Sequence, residues 1–386
     1  MRALTRVNLV AAVMDFGIYA LFTAVHHRAL ELGASPVEQA LIPVVAGVPY
    51  VAVTALGGGL ADRVARGWLV RRASVAFAAS ALGLAATGSL AGLYVVLPLL
   101  GVATGAFWPA LQASIADRSD RRSLEHHLGR YNVWWSVGKG LGFLAGGAIY
   151  DVAGFTGALV MAAATGAVSA GLFPADEAPD EPRRSVEDEQ KASASARRAW
   201  RAIGRLSLFG AWGAGATIGA LYPDLNRELD RSPVTFGAAL LTVYAAQAIT
   251  FVGLRRYAAW HYRVPLFVGL QIAAAIALVA LGWTRWYPAI LLAMATIGAG
   301  LGMCYASALY YALHTDTGRG RSTGFNEAVI GSATFVVPLI GGAVARATGS
   351  IQTPYALAGA VLLLGVVGQL ALVVRARGSL RRDDSR

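Results

Sequence analysis

The sequence predicts an all-α membrane protein: twelve transmembrane helices in two pseudo-symmetric six-helix bundles, with both termini cytoplasmic. Three observations carry this expectation. Of 386 residues, 56% are apolar and only 14% charged, against about 25% charged in a soluble domain. The chain contains twelve long apolar runs. Its basic residues fall almost entirely on alternate connections between those runs.

The runs lie at 7–26, 40–61, 68–90, 93–115, 130–150, 155–174, 203–223, 235–254, 264–283, 286–311, 325–347 and 354–375. Each is long enough as a helix to cross about 30 Å of hydrocarbon, which takes about 20 residues. They are rich in Ala, Gly and Leu and lack the alternation of a barrel strand, so helices, which satisfy their own backbone groups in lipid, are expected. The first run carries Asp15 and ends at His26 and His27 with no small-residue cleavage pattern, so no signal peptide is expected. With cytoplasmic termini, 27 of the 33 basic residues fall on the inner side, 5 on the outer side, and Lys139 within a span. That asymmetry is the positive-inside rule. It accounts for the net charge of +11 without a nucleic-acid partner. The single cysteine, Cys304, excludes an internal disulfide framework and a CxxC metal site.

The chain also repeats itself. At an offset of 195, Gly129, Gly146, Gly147, Ala148 and Gly154 match Gly324, Gly341, Gly342, Ala343 and Gly349. At an offset of 197, Gly101 and Gly105 match Gly298 and Gly302. Span 5 thus falls on span 11 and span 4 on span 10. The expected organisation is an amino-terminal bundle over 1–174, a charged cytoplasmic linker over 175–201, a carboxy-terminal bundle over 202–375 and a cytoplasmic tail over 376–386. The linker's acidic, basic, Pro and Ser residues suit a segment without a packed core.

The loop after span 2 reads Gly58-Gly59-Leu60-Ala61-Asp62-Arg63-Val64-Ala65-Arg66 and resembles the GxxxD(R/K)xGR motif of the major facilitator superfamily. Ala65 stands for the usual Gly, and Gly67 for the usual second basic residue. Span 5 carries Gly129, Gly138, Gly142, Gly146 and Gly147 at the spacing of the antiporter motif g-x8-G-x3-GP-x2-GG, with Phe143 in place of its Pro. The repeat in span 11 keeps a Pro, Pro338. The resemblance, nearest to the drug/proton antiporter-like branch, implies a secondary active transporter working by alternating access, with proton-coupled export of a small organic solute. Uptake of a small metabolite or organic anion is the alternative within transport. A non-transporting membrane sensor or scaffold is the alternative outside it. No GxxxxGK(S/T) loop is present, so an ion gradient rather than a nucleotide is the expected driving force. No cofactor, metal or nucleic acid is expected. The expected partners are a small-molecule substrate, a coupling ion and the lipid bilayer. The protein should be a monomer, multi-pass in the inner or plasma membrane.

The motif residues have physical readings of their own. Gly138, Gly142 and Gly146, at one-turn spacing, let helix backbones approach closely. The stripe serves either to pack span 5 against a neighbour or to let it move against span 8 of the other half. Asp62 stands to face the positive N-terminus of span 11, and Arg66 to pair with Asp117. By resemblance, Gly58, Asp62, Arg63, Arg66 and Asp117 would form a cytoplasmic gate; otherwise they are solvated surface charges.

Charges within the spans are costly and normally serve a pathway or a partner. Asp15 lies mid-span, and Lys139, one of only two lysines, lies about 14 Å deep in span 5. They either pair structurally, or Asp15 carries a proton and Lys139 attracts an anionic substrate group. Glu327, near the start of span 11, is a further proton-linked candidate. Trp108, Gln112, Trp135, Trp212, Tyr244, Gln247 and Tyr305 are candidate lining residues of a central cavity, where aromatic faces with a few polar tips suit an organic ligand. Trp68, Trp200, Trp260, Trp283 and Trp286, at span ends, read as interfacial anchors. The adjacent pairs His26-His27 and His126-His127 are read as loop residues without metal-ligand spacing.

Overall fold

The computed structural model describes residues 2–61, 65–119, 124–174, 194–257, 260–313 and 319–383. Among these residues the structure is helical, with no strand: α1 (Arg2–Glu31), α2 (Pro36–Ala61), α3 (Arg66–Gly83), α4 (Leu90–Asp117), α5 (Leu124–Leu172), α6 (Ala194–Glu228), α7 (Pro233–Arg256), α8 (Val264–Trp283), α9 (Tyr287–Leu313), α10 (Arg319–Thr348) and α11 (Thr353–Asp383). Ten of the eleven are long and apolar enough to cross a membrane. The remaining one, α6, is long enough but less apolar. Its Ser207, Thr217 and Asn226 are fully buried, so these three polar groups point inward rather than at lipid. Val95, Ile249, Leu292, Leu364 and Val374 are among the apolar side chains on the outside, a surface suited to hydrocarbon rather than water.

The 49 residues of α5 would form a rod about 74 Å long at 1.5 Å per residue. The rod is broken at Gly154, whose φ of 64° and ψ of −164° are not helical. Only glycine takes such a conformation without a Cβ penalty. Its repeat mate Gly349 has a φ of 65° and sits between α10 and α11.

Helices α1 to α5 pack among themselves, mainly α1 on α5, α2 on α4 and α3 on both α4 and α5. Helices α6 to α11 do the same, with α7 on α9, α6 on α9, α10 and α11, and α8 on α9 and α11. The two sets meet chiefly along two seams, α5 against α7 and α2 against α10.

The sequence repeat is legible in individual contacts. A methyl at Gly105 would meet Tyr50 O at 2.9 Å, and one at Gly302 would meet Gln247 O at 3.1 Å; Tyr50 and Gln247 are 197 apart. Gly101 likewise meets the backbone of Ala46, and Gly298 that of Val243, again 197 apart. The turns repeat too. Gly33 and Asp230, at the same offset, both have positive φ, 81° and 52°. Each is followed by Ser-Pro-Val, Ser35 to Val37 and Ser232 to Val234, with the proline at the first helical position, where its missing N–H costs nothing. Ser35 and Glu38 close a capping box: Glu38 Oε2 accepts from the Ser35 backbone N–H at 2.7 Å and Ser35 Oγ accepts from Glu38 N–H at 3.4 Å.

Several expectations are corrected. Trp200 and Trp260 are not interfacial anchors. Both are buried in a cluster with Phe267 and Tyr311, and Trp260 Nε1 donates to Leu254 O at 3.1 Å. Apolar packing beneath the α7–α8 turn outweighs a headgroup position. Trp68, Trp283 and Trp286 are exposed. His26 and His27 are not loop residues: α1 runs on to Glu31, burying both, with His26 Nδ1 2.6 Å from Gln39 Oε1. His126 and His127 lie in the first turns of α5. Residues 194–201, expected in the linker, are helical in α6, because Trp200 docks them. Residues 175–193 of the linker lie outside the described residues. Helix α11 continues through the expected tail to Asp383.

Candidate functional site

Between the two helix sets lies a cavity of about 290 Å3, lined by residues of α1 to α7, α9 and α10. The candidates Asp15, Trp108, Gln112, Trp135, Lys139, Trp212, Tyr244, Tyr305 and Glu327 all line it. Gln247 does not; it is fully buried off the cavity, and neither end of its amide finds a hydrogen-bond partner among the described residues.

Asp15 and Lys139 are each 5% exposed. Among the described residues no ion pair within 4.0 Å joins them. The Lys139 ammonium lies instead over the ring faces of Tyr19, Tyr244 and Trp212, at 4.0, 4.5 and 5.4 Å from their centroids. All three fall within cation–π range. Tyr19 is on α1, Trp212 on α6 and Tyr244 on α7, so the cage draws on both helix sets. Phe143, which replaces the motif's proline, stacks on Tyr244 at 5.6 Å and 5°, and contacts Tyr19 at 4.9 Å. Trp135, Trp212, Phe251 and Tyr305 continue the aromatic cluster toward the Arg66 end of the molecule, with centroids 5.4 to 6.3 Å apart.

Sequence reasoning missed Tyr19, Phe143, Tyr50 and Tyr131, which also line the cavity. A signal was present for the first two. Each lies four residues after a buried charge, Tyr19 after Asp15 and Phe143 after Lys139, and therefore on the same helix face.

The glycine stripe faces α1. A methyl at Gly138 or Gly142 would collide with the backbone of Ala12 or Phe16, and one at Gly146 would lie 2.7 Å from Ala20 Cα. The stripe therefore locks α5 to α1 within one helix set, not to the span-8 helix α7. What meets α7 is the opposite face: Gly140 abuts Leu241 and Tyr244, and Gly147 abuts the Pro233 backbone. Gly342 of α10, the repeat mate of Gly147, meets the backbone of Pro36 of α2, its oxygen at 2.7 Å. Pro338 lies one turn earlier inside α10. At this Pro36 end both seams thus close backbone to backbone. Arg227 Nη1 donating to Leu30 O at 3.2 Å and Val234 N donating to Asp151 Oδ2 at 3.1 Å add to the closure.

At the opposite end Arg66 Nε and Asp117 Oδ2 are 2.8 Å apart and partly exposed, and Arg255 Nη2 is 3.1 Å from His126 Nδ1 across the seam. Gly58 lies within α2. Asp62 and Arg63 lie outside the described residues.

The family model described as Major Facilitator Superfamily matches residues 7–317. The chain belongs to the major facilitator superfamily. Membership places its activity in membrane transport rather than in enzyme chemistry. Solved structures are similar across nearly the whole chain. A bacterial homolog to the human lysosomal transporter Spinster, inward-facing and unoccupied, aligns with a TM-score of 0.75 at 14% identity, covering 98% of this chain and 97% of that one. The same homolog, inward-facing and occupied, aligns at 0.71 and 15%, covering 97% and 96%. PepTSo, a POT family transporter, aligns at 0.72 and 13%, covering 97% and 98%. No curated protein sequence matches. At these identities the likeness concerns the fold.

Proposed function

We propose that this superfamily member exports a small organic solute in exchange for protons by alternating access. On this reading it is a monomer in the inner or plasma membrane with both termini cytoplasmic. The observation that carries the reading is the placement of Asp15, Lys139 and Glu327 on one cavity between the helix sets. Membrane-embedded charges are retained where a pathway uses them. A sensor or scaffold would be served by a packed, dry midplane, and a cavity of about 290 Å3 speaks for transport. Export rather than uptake, and protons rather than another ion, rest on the antiporter-like motif of span 5.

Twelve spans follow if α5 is counted as two, and the shared positive φ of Gly154 and Gly349 supports that count. The halves are then 1–174 and 202–375, joined by a cytoplasmic linker and followed by a short tail. In this orientation the Pro36 end faces outward. Its backbone-to-backbone seams support an inward-facing state, the state named for the Spinster homolog structures. Arg66 and Asp117, with Gly58, Asp62 and Arg63, would then act as the cytoplasmic gate. Asp15 and Glu327 are the proton-linked groups, and no cofactor takes part.

The test uses purified protein in proteoliposomes. A panel of organic solutes is first screened by thermal shift, since a ligand that binds only the folded state raises apparent stability. Hits are then assayed for gradient-driven movement and for counterflow. Asp15→Asn should abolish the first and leave the second measurable. Gradient-independent movement in the wild type, or an Asp15→Asn variant driven as well as wild type, would reject proton coupling through Asp15.

A further inference from the structure

We infer that Lys139 exchanges partners during the transport cycle: its ammonium rests on ring faces from both halves in this state and on the Asp15 carboxylate in the opposite one. Lys139 is thereby the positioning residue that ties the proton on Asp15 to the conformation. This inference rests on the transporter reading above.

The glycine stripe carries the first step. Gly138, Gly142 and Gly146 hold α5 against the backbone of α1 with no room for side chains between them. Asp15 and Tyr19 on α1 and Lys139 on α5 therefore move as one body. Trp212 and Tyr244 belong to α6 and α7, on the far side of the α5–α7 seam. When the halves rock apart at the Pro36 end, Lys139 keeps Tyr19 and loses the other two faces. A cation only 5% exposed then needs a replacement, and the carboxylate that travels with it is Asp15. The two already line the same cavity without an ion pair within 4.0 Å among the described residues, so Asp15 is the acceptor left for that second position.

Other titratable groups facing the same cavity are Tyr19 on α1, Tyr50 on α2, Tyr131 on α5, Tyr244 on α7, Tyr305 on α9 and Glu327 on α10. The tyrosines are neutral donors, and Glu327 stands on the other half, so neither replaces Asp15 as the anion that follows Lys139. The sign follows. Ionised Asp15 stabilises the uncaged, outward-open arrangement. Protonated Asp15 offers Lys139 no countercharge and leaves the cage as the better site, which favours the closed Pro36 end. Losing two ring faces shifts the ratio of states on the order of tenfold. This order, with protonation returning the carrier inward, is the one an exporter driven by inward proton flow requires.

The experiment measures spin-label distances in the full chain, with cysteines placed at Val152 and Trp286. Both are exposed and lie near the Pro36 end on opposite halves; Cys304 is buried and out of reach of the label. In wild type the longer-distance population should grow as pH rises. Asp15→Asn should hold the short distance at every pH. Lys139→Met should lose the pH response and Lys139→Arg should retain it. If Lys139→Met does not fold, Asp15→Asn/Lys139→Met, which removes both charges, should be equally pH-independent. A wild-type pH response in Asp15→Asn or in Lys139→Met would overturn the inference. An intact switch in a protein that moves no solute would count against the transporter reading alone.

Discussion

Gly147→Ala tests whether the α5–α7 seam is a moving surface or static packing. The added methyl would meet Pro233 C at 2.7 Å and Val234 Cα at 2.9 Å, both backbone atoms that no rotamer change can clear. Overpacking of this kind costs about 1–3 kcal/mol. If the seam parts in the outward-open state, the strain is relieved there and only the closed state bears it. At about 1.4 kcal/mol per tenfold, the ratio of open to closed then rises roughly 5- to 150-fold. Gly342→Ala, against Pro36 O at 2.7 Å and Ala40 Cβ at 2.9 Å, should act in the same direction from the repeat-related seam. Gly142→Ala is the control. It meets Phe16 Cα at 2.9 Å with similar severity, but inside one half, so both states bear the strain and stability falls with no shift in population. Distances between labels at Val152 and Trp286 report the populations, and thermal unfolding reports stability. If Gly147→Ala and Gly342→Ala only lower the melting temperature, as Gly142→Ala does, the seams do not part and the rocking of halves is wrong.

Two further outcomes are expected. Arg66→Ala, which removes a partly exposed ion pair of 2.8 Å, should cost no more than about 1 kcal/mol of stability. The loss should shrink at high salt, and a salt-independent loss would assign Arg66 to packing. Gln271 and Gln369 exchange reciprocal hydrogen bonds of 3.0 and 2.9 Å between α8 and α11, fully buried. Gln271→Leu or Gln369→Leu alone strands an amide and should cost about 1–3 kcal/mol. The double change should recover much of that, and additive losses in thermal unfolding would refute the reciprocal pair.

What the sequence determined by itself is what repeats or accumulates along the chain. Apolar runs long enough for a bilayer mark their own helices, because lipid leaves the backbone no other partner. The offset of 197 anticipated contacts at Gly105 and Gly302, since a duplicated helix pair packs through duplicated small residues. Asp15 and Lys139 stood out because a charge in such a run is costly enough to need a reason. The tertiary structure decided which partner each side chain meets. The spacing of Gly138, Gly142 and Gly146 states that something comes close, and equally describes packing on α1 or on α7. Only the fold chooses α1, and with it which surfaces are rigid and which can part. The same holds for Lys139. Asp15 as a candidate partner is legible from composition and depth, whereas the cage of Tyr19, Trp212 and Tyr244 joins helices whose residues lie up to 225 apart in the sequence. Trp200 and Trp260 look like lipid anchors from their places at span ends, yet they pack under the α7–α8 turn. Hydropathy is local and one-dimensional, and the direction in which a side chain leaves its helix is fixed by the neighbours that the whole chain brings to it.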